Sequence, residues 1–248
     1  MSVSIVIPTL NEEALVQGQV RRCLLLNPRP EVIVADGESG DRTLSRAREA
    51  GAFALACARR GRALQMNAGA AAASGDILLF LHADLLLPQA AYSAMLEALR
   101  DPRVTGGAFR RRFDSPSLLL RLGCRLADLR GKTFGIFLGD QAQFVRRDVF
   151  RRLGGFPAML LFEDLAFSSI LSRHGGTRLV REKVIASSRR FHREGNLRRL
   201  SLNAWLTLLY LAGVDANRLA RHYYPDHFPA PERQGSRGSD GKAASGRP

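Results

Sequence analysis

The chain has 248 residues, 46% hydrophobic and 24% charged, enough for one large α/β domain or two small ones around a sizeable core. That excludes a disulfide miniprotein and a disordered chain. Basic residues exceed acidic ones by 14, and since only Lys132, Lys183 and Lys242 are lysines the excess is arginine; an anionic partner and a solvated coat of charge account for it equally well.

Val3 to Ile7 is a β-branched run stopped by Pro8, which predicts a buried strand, followed by a helix over 12–26. A second strand is expected at 31–35. Asp41 is a good N-cap for a helix over 42–50, ended by Gly51, with a third strand at 52–57. An alanine-rich helix at 64–73, a Ser74-Gly75-Asp76 turn and an apolar strand at 77–81 complete a βαβα rhythm. Such alternation predicts a parallel sheet covered by helices, with ligands gathered at the carboxyl edge of the strands.

Pro88 opens a helix to about 100, and 105–113 is strand-like with a Gly106-Gly107 interruption. Ser117 to Leu129 is amphipathic and helical. Weaker strands are expected at 144–145 and 178–185, with a helix over 164–173 between them. Leu200 to Val214 is the most apolar helical stretch, shorter than the roughly 20 residues a membrane span needs. Arg193, Arg198 and Arg199 before it and Arg218 and Arg221 after it would suit a helix lying on an anionic bilayer, whereas packing against the domain explains the same residues. The expected division is a domain over 1–190 in two halves, 1–87 and 88–190, a helical segment over 191–229 and a disordered basic tail over 230–248. Cys23, Cys57 and Cys124 have neither metal nor disulfide spacing, and no signal peptide opens the chain, so the expected compartment is the cytoplasm.

The chemistry-bearing residues fall at strand ends. His82 and Asp84 follow the strand at 77–81; both are metal-capable, and a cation on Asp84 could bridge a diphosphate. Asp36 follows the second strand, where a carboxylate can accept hydrogen bonds from a ribose or base. Pro8-Thr9-Leu10-Asn11-Glu12 ends the first strand similarly. Glu163-Asp164 opens a helix, where acids favour the helix dipole and are equally suited to take a proton from an acceptor hydroxyl. Arg62, Gln65 and Asn67 are candidates for phosphate or nucleoside contact; His192, among arginines, is more often neither metal nor phosphate ligand. Neither a Gly-x-x-x-x-Gly-Lys loop nor a Gly-x-Gly-x-x-Gly turn is present, so an ATPase or nicotinamide enzyme is not indicated.

Taken in order, Ser4-Ile5-Val6-Ile7-Pro8-Thr9-Leu10-Asn11-Glu12-Glu13, Val32-Ile33-Val34-Ala35-Asp36-Gly37, Leu81-His82-Ala83-Asp84, Gly154-Gly155-Phe156-Pro157 and Glu163-Asp164 resemble the family 2 glycosyltransferases. Gly61-Arg62-Ala63-Leu64-Gln65-Met66-Asn67, the His82 string and Gly139-Asp140-Gln141 resemble the subgroup labelled arsenosugar-biosynthesis glycosyltransferases. The resemblance implies a GT-A fold: a Rossmann-like, mostly parallel sheet flanked by helices, here with a helical C-terminal extension. It implies inverting transfer of a sugar from a nucleotide-diphosphate donor, UDP by default, with Mg²⁺ or Mn²⁺. Pro8, Thr9, Glu12, Asp36, Arg62 and Asn67 would bind the nucleotide sugar, and Asp84 with His82 the metal. Asp164, beside Glu163, would be the base, and Gly139, Asp140 and Gln141 would shape the side of an acceptor that is a small molecule or lipid-linked. Two departures stand out: His82 occupies the first position of the family's Asp-x-Asp motif, and a single Asp36 followed by Gly37 replaces paired acids. A nucleotidyltransferase lacks its basic glycine-rich loop here, and a nucleic-acid-binding module would have these strand-end acids repel its ligand.

Overall fold

A computed structural model describes residues 1–223; the expected tail, with the last residues of the helical segment, lies outside them. Eight strands form one sheet: β1 (Val3–Thr9), β2 (Glu31–Asp36), β3 (Phe53–Ala56), β4 (Ile77–Phe80), β5 (Leu85–Leu86), β6 (Val104–Phe113), β7 (Gln143–Arg146) and β8 (Gly176–Ala186). Their order is β3-β2-β1-β4-β7-β6-β8-β5. The first four in that order are parallel; β7 runs antiparallel to both β4 and β6, and β5 antiparallel to β8. The β4–β7 pairing makes one continuous sheet of the two expected halves.

The parallel strands read as unbroken apolar runs because both faces are covered. On β1, Val3, Ile5 and Ile7 face one core with Val16, Val20 and Cys23 of helix α1 (Glu13–Leu24), while Val6 faces another with Ala63, Met66 and Ala70 of α3 (Arg62–Ala72). Alternation of period two against helical spacing of three to four residues is what closes these layers. Between them in sequence comes α2 (Thr43–Glu49), whose first turn Asp41 caps through the Thr43 N–H at 2.9 Å. Pro88 precedes α4 (Gln89–Ala98), as expected from its missing N–H and preset φ.

The second half holds α5 (Leu118–Phe134), a 3₁₀ turn over Gly139–Gln141, α6 (Arg147–Arg152) and α7 (Glu163–His174), then α8 (Arg189–Glu194), α9 (Asn196–Leu211) and α10 (Ala216–Tyr223). α5 runs five residues beyond the expected end, to Gly135, whose φ of 64° closes it in the left-handed cap that glycine tolerates. The Gly106-Gly107 interruption follows a register shift in β6 between Val104 and Gly106 and marks a close approach of strands: a Cβ on Gly107 would fall on the Arg178 carbonyl. β5, the 3₁₀ turn, α6 and α8 were not anticipated; all are too short for periodicity to show. α9 begins and ends earlier than expected, and neither sequence reading of it is complete. Leu206 is buried in a small core with Leu161, Phe162, Leu165, Leu219 and Ala220, whereas Trp205, Leu208 and Leu211 are exposed. No helix among the described residues is long and apolar enough to cross a membrane.

Candidate active site

A cleft of about 650 Å³ opens where β1 and β4 end, bounded on its far side by the start of α7 and the inner face of α9. Pro8, Thr9 and Glu12 line it from the β1 end, Arg62 and Gln65 from α3, His82 and Asp84 from the β4 end, Gly139 and Asp140 from the 3₁₀ turn, and Asp164 from α7. This is the carboxyl edge expected to gather ligands in an open α/β sheet.

The β4 end is held by backbone bonds: Leu81 donates to the Val6 carbonyl at 3.0 Å, and Leu85 to the His82 carbonyl at 3.1 Å. Gln19, buried on α1, donates to the carbonyls of Leu85 at 2.6 Å and His82 at 3.3 Å, fixing the turn that carries Asp84. Asp84 is exposed to the cleft. Burial, then Asp84 and Asp41, push the Glu12 carboxyl up, with Arg189 opposing. Burial and the nearby Arg62 cation push His82 down to about 3, so its imidazole is neutral at physiological pH and has a lone pair to offer.

The acid pair opens α7. Asp164 accepts from the Gly139 N–H and, at 2.7 Å, from the Leu165 N–H. Gly139 has to be small, since a Cβ there would lie 2.5 Å from His82 Nε2 and 3.0 Å from Asp164 Oδ2. His82, Gly139 and Asp164 are thus packed side by side although they are far apart in sequence. Glu163 does not line the cleft and is 1% exposed, its Oε1 3.6 Å from Arg62 Nη1. Burial drives it up to about 7, with Arg62 opposing and Asp164 reinforcing.

Four residues singled out in the sequence do not line the cleft. Glu163 is one. Asp36 is buried, and accepts from the Ser39 hydroxyl at 2.5 Å, the Ser39 N–H at 2.9 Å and the Thr9 hydroxyl at 3.2 Å. The Asn67 amide is spent on Phe156, donating to its carbonyl at 2.8 Å and accepting from its N–H at 2.9 Å, which ties the Gly154-Pro157 loop to α3. Gln141 is fully buried and accepts from Arg130 Nη2 at 3.0 Å. Gln65 lines the cleft and donates to the Thr9 and Ala35 carbonyls at 2.6 and 3.0 Å, joining the ends of β1 and β2.

Sequence reasoning missed the far wall: Leu138, Leu161, Phe162, Phe191, Arg199, Asn203, Leu206 and Thr207 also line the cleft. In sequence they read as ordinary helix and loop residues. Arg199 is buried, paired with Glu194 at 2.9 Å, its guanidinium 4.1 Å from the centre of the Tyr223 ring.

Among the described residues no cluster of three His, Cys, Asp or Glu side chains could hold a metal. Asp84, exposed to the cleft in the same turn as neutral His82, offers a carboxylate of the kind a divalent cation such as Mg²⁺ takes together with substrate phosphates and water.

Solved structures share this fold. A mannosyltransferase from Pyrobaculum calidifontis, in complex with GDP-Man and Mn²⁺, is 21% identical with a TM-score of 0.63 over 74% of this chain and 56% of its own. S. aureus TarS 1-349 in complex with UDP-GlcNAc is 15% identical with a TM-score of 0.58, over 75% of this chain and 58% of its own. Glucosyl-3-phosphoglycerate synthase from Mycobacterium tuberculosis, with Mn²⁺, UDP and glucosyl-3-phosphoglycerate, is 21% identical with a TM-score of 0.50, over 75% and 70%. The architecture is therefore that of the GT-A glycosyltransferases. The glycosyl transferase family 2 profile matches residues 4–154, more than half of the chain, which belongs to that family. The chain spans little more than half the length of the first two of these structures. No match was found among curated proteins.

Proposed function

We propose that the chain transfers a sugar from a nucleoside-diphosphate sugar to an acceptor hydroxyl, with inversion. The observation that carries this reading is that one cleft gathers Asp84 and neutral His82 at the β4 end with Asp164, held by two backbone N–H groups, at the start of α7. In this reading Pro8, Thr9 and Glu12 flank the nucleoside, with Asp36 and Gln65 shaping the strand ends from behind. Arg62 offers its cation to the diphosphate and, at 3.6 Å, also to Glu163. Asp84 and His82 would hold a Mg²⁺ or Mn²⁺ ion, which when bound offsets the negative charge growing on the leaving diphosphate. Asp164 orients the acceptor hydroxyl and takes its proton as oxygen attacks the anomeric carbon. The Gly139 N–H fixes the direction of that carboxylate, and Asp140 and the apolar far wall bound the acceptor, a small molecule or a lipid-linked alcohol.

The two-halved division, 1–87 for donor and 88–190 for acceptor, belongs to the same reading, as does the arsenosugar-type subgroup, supported by the strings around Arg62, His82 and Asp140. Three thiols without a disulfide support a cytoplasmic setting. Calorimetry with UDP, GDP and dTDP, each with and without Mn²⁺, tests the proposal. One nucleotide is expected to bind the wild type in a Mn²⁺-dependent way and to lose that dependence in Asp84→Ala. Absence of binding for all three would overturn the transfer reading.

A further inference from the structure

The exposed large apolar residues are unevenly spread. Leu118, Leu122, Leu126, Leu129 and Phe134 on α5 are between 53% and 77% exposed, and Leu197, Trp205, Leu208 and Leu211 on α9 between 58% and 67%. On α5 the four leucines recur at intervals of three or four, one continuous stripe along a helix. The two stripes adjoin: a Cβ on Gly123 would lie 3.4 Å from Leu200, so α5 meets α9 there. Leu119 and Leu126 flank Gly123 on its helix, and Leu197 and Ala204 flank Leu200 on its own, at three- and four-residue spacings.

The exposed charges on α5 and α9 have one sign. Arg121, Arg125 and Lys132 are exposed along one edge of α5, and Arg198 is exposed on α9. The sole carboxylate of α5, Asp128, is buried and paired with Arg110 at 2.5 Å, and α9 has none. We propose that the outward faces of α5 and α9 form one docking surface for an anionic lipid bilayer, the leucines and Trp205 entering the headgroup boundary and the basic edge meeting lipid phosphates. Helices that lie in the interface have this division into a Leu/Trp face and a Lys/Arg edge. A second copy of the chain is a poor occupant, since each carries a formal charge of +14 and would bring a like-charged edge to the contact. The inner face of α9 lines the cleft through Arg199, Asn203, Leu206 and Thr207, so docking would set the cleft beside the bilayer. The surface requires no chemistry in the cleft and stands apart from the transfer reading.

Co-flotation of the full chain with phosphatidylcholine vesicles and with mixed phosphatidylcholine–phosphatidylglycerol vesicles tests it, with sedimentation velocity giving the oligomeric state. Binding is expected to the mixed vesicles only and to weaken with salt. Arg121→Gln with Arg125→Gln is expected to lower partitioning by roughly 25-fold, at roughly fivefold per cation. Leu122→Asp with Leu126→Asp is expected to abolish it with an unchanged melting temperature, while Leu25→Asp, on another exposed leucine, retains it. Three results would each overturn the proposal: no flotation with mixed vesicles, flotation that survives the leucine change, or a dimer that the leucine change dissociates.

Discussion

Glu163 sits beneath the cleft rather than in it, and its environment makes it a stability group with a definite sign. Its carboxyl is held at about 7, against 4.5 for a free glutamate, chiefly by burial. Between those values the folded chain keeps the proton that the unfolded chain releases, so stability present below pH 4.5 is lost as pH rises towards 7. Glu163→Gln is expected to remove that slope and to stabilise the protein above pH 7 by up to about 3 kcal/mol, read from urea midpoints across pH. Asp164, one residue on, lines the cleft, with its oxygens on the Gly139 and Leu165 N–H groups. Asp164→Asn is expected to lower kcat by about 10²–10⁴-fold while leaving nucleotide affinity within about threefold, since general-base catalysis contributes on that scale. The resemblance singles out Asp164 as the base, and adjacency alone leaves the two acids alike. The helix turn that sends one side chain inward and the other to the cleft separates them.

At the scale of elements, the helices and central strands were legible wherever apolar periodicity ran for two turns or more, as in α1, α3 and α7, or where a β-branched run met a proline, as in β1. The short pieces that shape the site were not. The Gly139–Gln141 turn carries no periodic signal, and its role follows from its contacts with His82 and Asp164. Gly106-Gly107 was visible as an interruption without its cause, the close approach of β8. Gly107→Ala is expected to destabilise the fold by about 1–3 kcal/mol, because the new methyl would strike the Arg178 carbonyl and force β6 and β8 apart. A lowered urea midpoint with an unchanged slope would show this.

Across the whole molecule, the cleft is built by the sheet's carboxyl edge on one side and by the start of α7 with α9, added after β8, on the other. A ligand that bridges these parts stabilises all of them together. The nucleotide that binds, at 100 times its Kd with Mn²⁺, is expected to add about 2.7 kcal/mol and to raise Tm by roughly 5–10 °C. Asp84→Ala is expected to remove the Mn²⁺-dependent share of that shift in a thermal melt. Asp36 and Asn67 each stand at a place where a donor-binding group is expected, and their side chains also tie the structure together through Ser39 and Phe156.

By itself the sequence determined the class of fold, the order of its main elements and the strand ends at which Thr9, Glu12, His82 and Asp84 stand, because local periodicity and turn residues specify these without reference to distant parts of the chain. Only the tertiary structure decided which acid of Glu163-Asp164 faces the cleft, that Gly139 must be a glycine, and that α9 buries Leu206 while exposing Trp205, Leu208 and Leu211. Each of these depends on contacts between residues distant in sequence, and a side chain's environment is set by what packs against it.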